Sequence, residues 1–129
     1  MRNIIIGFGL FFTFSLVYAS NEVSQLRDIA REVEDHRDLT IDCLIEIKLS
    51  KQKGWGSEQC LRYQSFAKST LPAFQSKVKA AATLFNNYSK STSASKRRVK
   101  RGLKELLIIQ EGMLSIKSIS NKIKNASNT

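Results

Sequence analysis

Apolar side chains recur at three- and four-residue intervals along most of this chain, and this spacing limits the fold more than any other feature. In the first stretch, about residues 21–52, such a stripe includes Val23, Leu26, Ala30, Val33, Thr40, Leu44 and Ile47. This is the spacing of one face of an α-helix. The charged residues at 35, 37 and 38 interrupt the stripe, so a kink or two shorter helices are possible. With a single proline, Pro72, and few alternating β-branched runs, the sequence argues against a sheet.

Three further helices are predicted after a glycine-containing turn at residues 53–56. Glycine is favourable in turns and costly inside helices. Ser57 is placed to cap a second helix over about residues 57–70, with Glu58 near its positive end. The apolar face expected for that helix contains Cys60, Tyr63, Ala67 and Leu71.

Pro72 suits the first turn of a third helix, because the N–H group that proline lacks is not used there. Its expected face contains Phe74, Val78, Ala81, Phe85 and Tyr88. A polar loop at 89–95 precedes a fourth helix over about 96–124, with Val99, Leu103, Leu106, Ile109, Met113, Ile116, Ile119 and Ile123 in its stripe. We therefore predict an all-α fold, a small antiparallel bundle of about four helices or a pair of helical hairpins. Residues 125–129 are expected to be a disordered tail.

The first nineteen residues have the order of features found in a secretory signal peptide. A positively charged start precedes an uncharged apolar run at residues 4–16, and Val17-Tyr18-Ala19 offers small or modest side chains for cleavage. A membrane anchor is the alternative, but spanning a bilayer takes about 20 apolar residues. We expect residues 1–19 to be removed, and residues 20–124 to form one helical domain that is exported to the periplasm or the extracellular space.

The chain has two cysteines, Cys43 and Cys60, and export would place them in an oxidising compartment. An intramolecular disulfide is therefore expected. A symmetric hairpin would not bring them together, because Cys43 lies about twelve residues before the turn centre and Cys60 about five after it. Either the loop begins well before Gly54 or the helices cross at an angle. With a single histidine in the chain, we expect no metal site and no cofactor.

Positive charge is concentrated in the second half of the chain. Residues 20–60 contain six Lys or Arg against nine Asp or Glu, a net charge of −3, whereas residues 61–129 contain fourteen against two, a net charge of +12. Such a field attracts partners of opposite charge. The alternative is that the lysines only keep a small helical protein in solution.

The densest group of cations begins the fourth helix: Lys96, Arg97, Arg98, Lys100, Arg101 and Lys104. Positive charge opposes the dipole at a helix N-terminus, so this segment is expected to be frayed or to bind an anionic partner. Residues 98–101 also match the pattern cut by eukaryotic proprotein-processing proteases, which would release residues 102–129. Trp55, between two glycines, is either an exposed anchor for a partner or a cover for the end of the bundle.

Catalytic patterns are not found in the sequence. His36, flanked by Asp35 and Asp38, could act as a general base or a pH-sensitive contact, but a half-buried packing histidine is favoured. The chain contains no nucleophile elbow, glycine-rich phosphate loop or cluster of metal ligands. We therefore expect a protein that is not an enzyme.

Three classes of function remain: two kinds of binding protein and, ranked last, an enzyme. The first is an inhibitor, immunity factor or small chaperone that engages an acidic protein through its basic C-terminal half. The second binds an anionic polymer or a membrane surface through residues 96–104 together with Lys117, Lys122 and Lys124. Export argues against nucleic acid as the target. The wide apolar stripe of the fourth helix suits a packed core, so the acidic protein partner is favoured.

Overall fold

The computed structural model describes residues 22–127, and the proposed signal peptide lies outside the described residues. Within 22–127 the chain is helical and contains no strand. Its elements are α1 (Glu22–Ser50), α2 (Gln52–Trp55), α3 (Glu58–Ser65), a π-helical segment (Phe66–Thr70), α4 (Leu71–Ser89) and α5 (Lys96–Ser127). Four of these α-helices have eight or more residues, which confirms the prediction of an all-α fold with about four helices.

Helix α1 continues without a break through the charged residues at 35–38, where a kink was possible. Its apolar face remains in register on both sides, because Val33, Cys43 and Ile47 are all buried. Thr40, buried on the same face, donates a hydrogen bond from its hydroxyl to the carbonyl of His36 (2.7 Å). Its polar group therefore costs little in the core.

The chain turns sharply after α1 and folds back against it. Lys51 has a positive φ of 52°. The four-residue helix α2 follows, and its buried Gly54 lies so close to α1 that a Cβ there would overlap the carbonyl of Glu46. Ser57 then caps α3 as predicted, its Oγ accepting a hydrogen bond from the N–H of Cys60 (3.2 Å). The turn predicted at residues 53–56 is therefore mostly occupied by the short helix α2.

This fold-back explains how Cys43 and Cys60 meet. They form a disulfide with their α-carbons 4.4 Å apart, and both side chains are fully buried. Because α2 folds back along α1, the first turn of α3 lies beside Cys43, about two turns before the end of α1. The predicted disulfide is confirmed, and the asymmetric spacing is absorbed by the early turn at Lys51.

Helices α3 and α4 are joined through the π-helical segment, although the sequence predicted two separate helices. The residues at both junctions, Phe66 and Leu71, keep right-handed helical dihedral angles. Pro72 in the first turn of α4 lacks an N–H group, and its ring would collide with the carbonyl four residues earlier in a regular helix. The wider π turn just before it accommodates the ring, so the helix continues.

The three long passes of the chain form one up–down–up bundle around a single core. Helix α4 runs antiparallel to α1, with Lys77 paired to Glu32 (2.6 Å). Helix α5 runs parallel to α1, with the Nε of Arg37 donating to Oγ of Ser115 (2.9 Å). The core contains Leu26, Ile29, Ala30, Val33, Cys43, Ile47, Cys60, Tyr63, Phe66, Phe74, Ala81, Phe85, Ile109, Ile116 and Ile123.

Helix α5 differs from its prediction at two places. Leu103, expected in the apolar stripe, is 56% exposed, and the buried position beside it is occupied by Gly102. The helix also continues to Ser127, beyond its predicted end at residue 124. The buried Ile123 and the partly buried Ala126 hold this last turn on the core. Residues 128 and 129 lie outside the described residues.

None of the helices within residues 22–127 contains an apolar stretch that is long enough to span a bilayer.

Candidate functional site

The start of α5 is fixed by the residue before it. Ser95 accepts a hydrogen bond from the N–H of Arg98 on its Oγ (3.1 Å) and from the N–H of Val99 on its carbonyl (2.9 Å). Its own N–H donates to the hydroxyl of Tyr88 on α4 (3.2 Å). The helix therefore begins at Lys96 despite the unfavourable charge, and the fraying that the sequence allowed is not observed.

All six predicted cations at this helix start are exposed: Lys96, Arg97, Arg98, Lys100, Arg101 and Lys104. Between residues 22 and 127 the ion pairs are Arg62–Glu58 and Lys77–Glu32, so none of the six is paired with a carboxylate. They occupy about 12 Å of helix length, at the 1.5 Å rise per residue of an α-helix. The positive charge of this end is available to a partner.

Three of these cations line one open cleft, which we call the arginine cleft. It is lined by Arg97, Arg98 and Arg101 together with three residues that carry hydroxyl groups, Tyr88, Ser93 and Ser95. The cleft has a volume of about 600 Å³. A guanidinium group presents planar N–H donors that match a carboxylate, phosphate or sulfate. This cleft is therefore a candidate anion-binding site, and its three hydroxyl residues were not identified from the sequence.

Trp55 is not part of this site. It lies in α2, at the end of the bundle where α1 ends, and Ala126 lines the same end as Lys51 and Lys53. That end is about 45 Å from Lys96 along α5. The Trp55 ring contacts the edge of Tyr63 at 6.5 Å between centroids and is 37% exposed, so it partly covers the bundle end. Trp55 and the arginine cleft cannot contact one small ligand together.

The structure also changes the simple division of charge by sequence halves. Lys117, Lys122 and Lys124 are exposed along the second half of α5, far from the arginine cleft. An open cleft of about 670 Å³ at that far end is lined by Lys48, Lys51 and Lys53, which belong to the acidic half of the sequence. Carboxylates lie between the two ends, where Asp35, Asp38 and Asp42 line a smaller cleft. Cations thus occupy both ends of the bundle.

His36 is a packing residue in this fold. Its ring lies 4.7 Å from the rings of both Phe66 and Phe74, measured between centroids. Burial lowers the pKa of His36 below its ordinary value of 6.5, against the raising effect of Glu32 and Asp35, and the charge of Lys77 lowers it further. The general-base hypothesis gains no support, since no nucleophile is paired with His36 among the described residues.

The proposed processing site lies inside a helix. Residues 98–101 belong to the first turns of α5, and the next residue, Gly102, is buried. Proteolytic sites favour exposed loops, so this position is a poor substrate in the folded protein. Residues 22–127 also contain no group of three His, Cys, Asp or Glu side chains that could hold a metal ion.

Comparison with protein-family models, with curated proteins and with solved structures gives no match to this chain.

Proposed function

We propose that this chain is a small exported binding protein that engages an acidic protein partner through the start of α5. It would act as an inhibitor, an immunity factor or a chaperone, and no enzymatic activity is proposed. The arginine cleft is the observation that carries this proposal. Arg97, Arg98 and Arg101 are exposed, have no carboxylate partner within residues 22–127, and line one open cleft.

The three cleft arginines have no carboxylate partner within residues 22–127, which favours binding of an external carboxylate. A partner carboxylate does not have to displace an internal ion pair, and each guanidinium can form two parallel hydrogen bonds with it. Residues 20–129 contain twenty Lys or Arg and eleven Asp or Glu, and this formal net charge of +9 would increase the rate of encounter with an acidic surface. The hydrogen bond from the N–H of Ser95 to the hydroxyl of Tyr88 holds the start of α5 beside the end of α4, which supports the cleft.

The distribution of charge favours a protein partner over a long anionic polymer. Carboxylates at Asp35, Asp38 and Asp42 separate the cations at the two ends of the bundle. A uniformly anionic chain laid along the molecule would meet these carboxylates. A folded acidic partner can contact one end alone. The second cationic end, with Lys48, Lys51 and Lys53, is the feature that would instead favour the polymer or membrane alternative.

Export is part of this proposal. The signal-like residues 1–19 support it, and a buried disulfide is typical of proteins that fold in oxidising compartments. Intact mass of the product from its native host tests it. We expect a chain that begins at Ser20 and weighs two hydrogens less than its reduced form. A full-length product found only in the cytoplasm would contradict export.

The binding proposal is tested with a synthetic peptide rich in Asp and Glu, by fluorescence anisotropy at low salt. The combined variant R97Q, R98Q and R101Q should bind this peptide at least about tenfold more weakly, a loss of about 1.4 kcal/mol. The matched control K117Q, K122Q and K124Q removes the same charge elsewhere on α5 and should change the affinity by less than about threefold.

Other outcomes separate the alternatives. Equal losses in both variants would mean diffuse attraction, which supports the polymer alternative and rejects the cleft. Heparin and vesicles of phosphatidylglycerol are measured in parallel arms. Binding to either of these without binding to the peptide would reject a protein partner.

A further inference from the structure

A stripe of exposed leucines runs along the outer face of α5 and begins at the basic helix start. Leu103, Leu107 and Leu114 are 56%, 56% and 67% exposed. With the exposed Lys96 and Lys100 they recur at intervals of four, three, four and seven residues. These intervals place all five on one face of the helix, over about 27 Å. We call this stripe the lysine–leucine ridge.

These three leucines are not part of the hydrophobic core. The buried side of α5 is formed by Gly102, Ile109, Ile116 and Ile123. The outer face of a helix on a bundle surface is normally polar. Contiguous apolar side chains on a surface, bordered by polar residues, mark sites of interaction. The ridge therefore has the properties of an unoccupied docking face.

We propose that the lysine–leucine ridge binds an amphipathic helix of the acidic partner protein. This inference rests on the proposed function and specifies the partner surface. The partner helix would present carboxylates to Lys96 and Lys100 and apolar side chains to the three leucines. The ridge and the arginine cleft share the first turns of α5 and lie on different sides of it, so one partner can contact both.

Charge decides against a second copy of this chain. Helix α5 contains nine Lys or Arg and two Glu, so two ridges brought face to face would repel each other. A partner with carboxylates removes this repulsion and gains ion pairs at the helix start.

Charge also decides against a lipid surface. Exposed Glu111 lies four residues after Leu107 and three before Leu114, so it is on the same face as the leucines. The cations of α5 would attract an anionic bilayer, but inserting the leucines into it would bring this carboxylate against the lipid phosphates. A protein helix can place a lysine opposite it, which gives a pattern of charges and leucines that specifies one register.

The test uses two synthetic helical peptides of about 20 residues. Each peptide has glutamates at the positions that would face Lys96 and Lys100, leucines where it would face the ridge leucines, and a lysine where it would face Glu111. The second peptide has this pattern in reverse order, so that parallel and antiparallel binding are both tested. At least one should bind the disulfide-bonded protein, and more weakly at high salt. The variant L103A, L107A and L114A should raise its Kd at least about tenfold. The variant E111K should raise it about threefold or more.

The matched control is I45A and L49A, which removes exposed apolar side chains of α1 and should leave the Kd unchanged. Circular dichroism verifies that each variant is folded. Absence of binding by both peptides, or equal binding by the leucine variant, would overturn the ridge. Binding to phosphatidylglycerol vesicles that is lost in the leucine variant and strengthened by E111K would assign the ridge to lipid instead. Concentration-dependent dimers abolished by the leucine variant would assign it to a second copy.

The Asp- and Glu-rich peptide lacks leucine, so it separates this inference from the proposed function. If that peptide depends on Arg97, Arg98 and Arg101 while the leucine variant has no effect on either helical peptide, the ridge is rejected and the cleft remains. If the arginine variant also binds normally, both proposals are rejected.

Discussion

Gly102 packs directly against the aromatic ring of Phe85, with no space for a side chain between them. A Cβ on Gly102 would overlap the ring edge of Phe85, which is itself buried. This contact joins the first turns of α5 to the end of α4, where Tyr88 holds Ser95. The position of the arginine cleft therefore depends on a residue without a side chain.

Replacing Gly102 with alanine should destabilise the protein, although alanine is the better helix former. Overpacking of a core costs about 1–3 kcal/mol, and the gain in helix propensity is about 1 kcal/mol, so we expect a net loss of up to about 2 kcal/mol. Urea unfolding followed by circular dichroism measures it. Gly56→Ala is the control, because the nearest atom to its Cβ is 3.8 Å away. Equal stability of the two variants would show that Phe85 moves freely.

Substitution of Lys51 with glycine should increase the stability of the protein. Its dihedral angles of φ 52° and ψ −126° are unfavourable for a residue with a side chain. Glycine removes this strain and loses more entropy on folding, so we expect a net gain of about 1 kcal/mol. Lys53→Gly lies in the short helix α2 and should instead lose about 0.5–1 kcal/mol. A thermal midpoint for K51G at or below wild type would contradict the strain.

Removing the disulfide should lower stability by about 3 kcal/mol, the amount expected for closing a loop of this length. The two cysteines are separated by 17 residues in sequence. We expect the variant C43A and C60A to unfold at lower urea concentration, and dithiothreitol to destabilise wild type and leave the variant unchanged. If reductant has no effect on wild type, the bond contributes little.

The stability of the protein should decrease as the pH falls below the ordinary pKa of histidine, partly through His36. Because burial lowers the pKa of His36 in the folded state, the unfolded chain binds this proton more tightly. The contribution of His36 is complete above about pH 6.5 and is lost as the pH falls from there to the lower folded-state pKa.

The effect is measured as the difference in unfolding free energy between about pH 7.5 and pH 5, compared for wild type and H36Q. Glu32, Asp35 and Lys77, whose charges act on His36, are present in both proteins, so they do not account for a difference between the two losses. Wild type should lose more stability than H36Q over this interval. An equal or smaller loss would contradict a lowered pKa.

Apolar spacing predicted the helices and most buried faces, and it failed where two faces of one helix are apolar. The core positions Phe74, Ala81 and Phe85 were predicted correctly because α4 has one apolar stripe. Helix α5 has apolar residues on more than one side, such as the exposed Leu103 and the buried Ile109, so spacing alone could not decide that Leu103 is exposed. Gly102 was missed because a residue without a side chain adds nothing to an apolar pattern.

The candidate site could be predicted only in part for a related reason. Its arginines lie within five consecutive residues, 97–101, and were identified by their charge. Tyr88 and Ser93 join them only through the loop between α4 and α5, whose path no local pattern determines. The opposite cationic end shows the same limit, because Lys51 and Ala126 are far apart in the sequence and meet only in the bundle.

The parallel pairing of α1 with α5 has a consequence for biosynthesis. It is the most extensive helix interface of the molecule and joins the first and last described segments of the chain. Buried residues of α1 such as Val33, against which Gly112 packs, have no cover on that side until α5 has been made. During synthesis, the hairpin of α1 with α3 and α4 would therefore expose apolar, aggregation-prone surface until the chain is nearly complete. Stop codons near residue 95 should yield insoluble or degraded fragments.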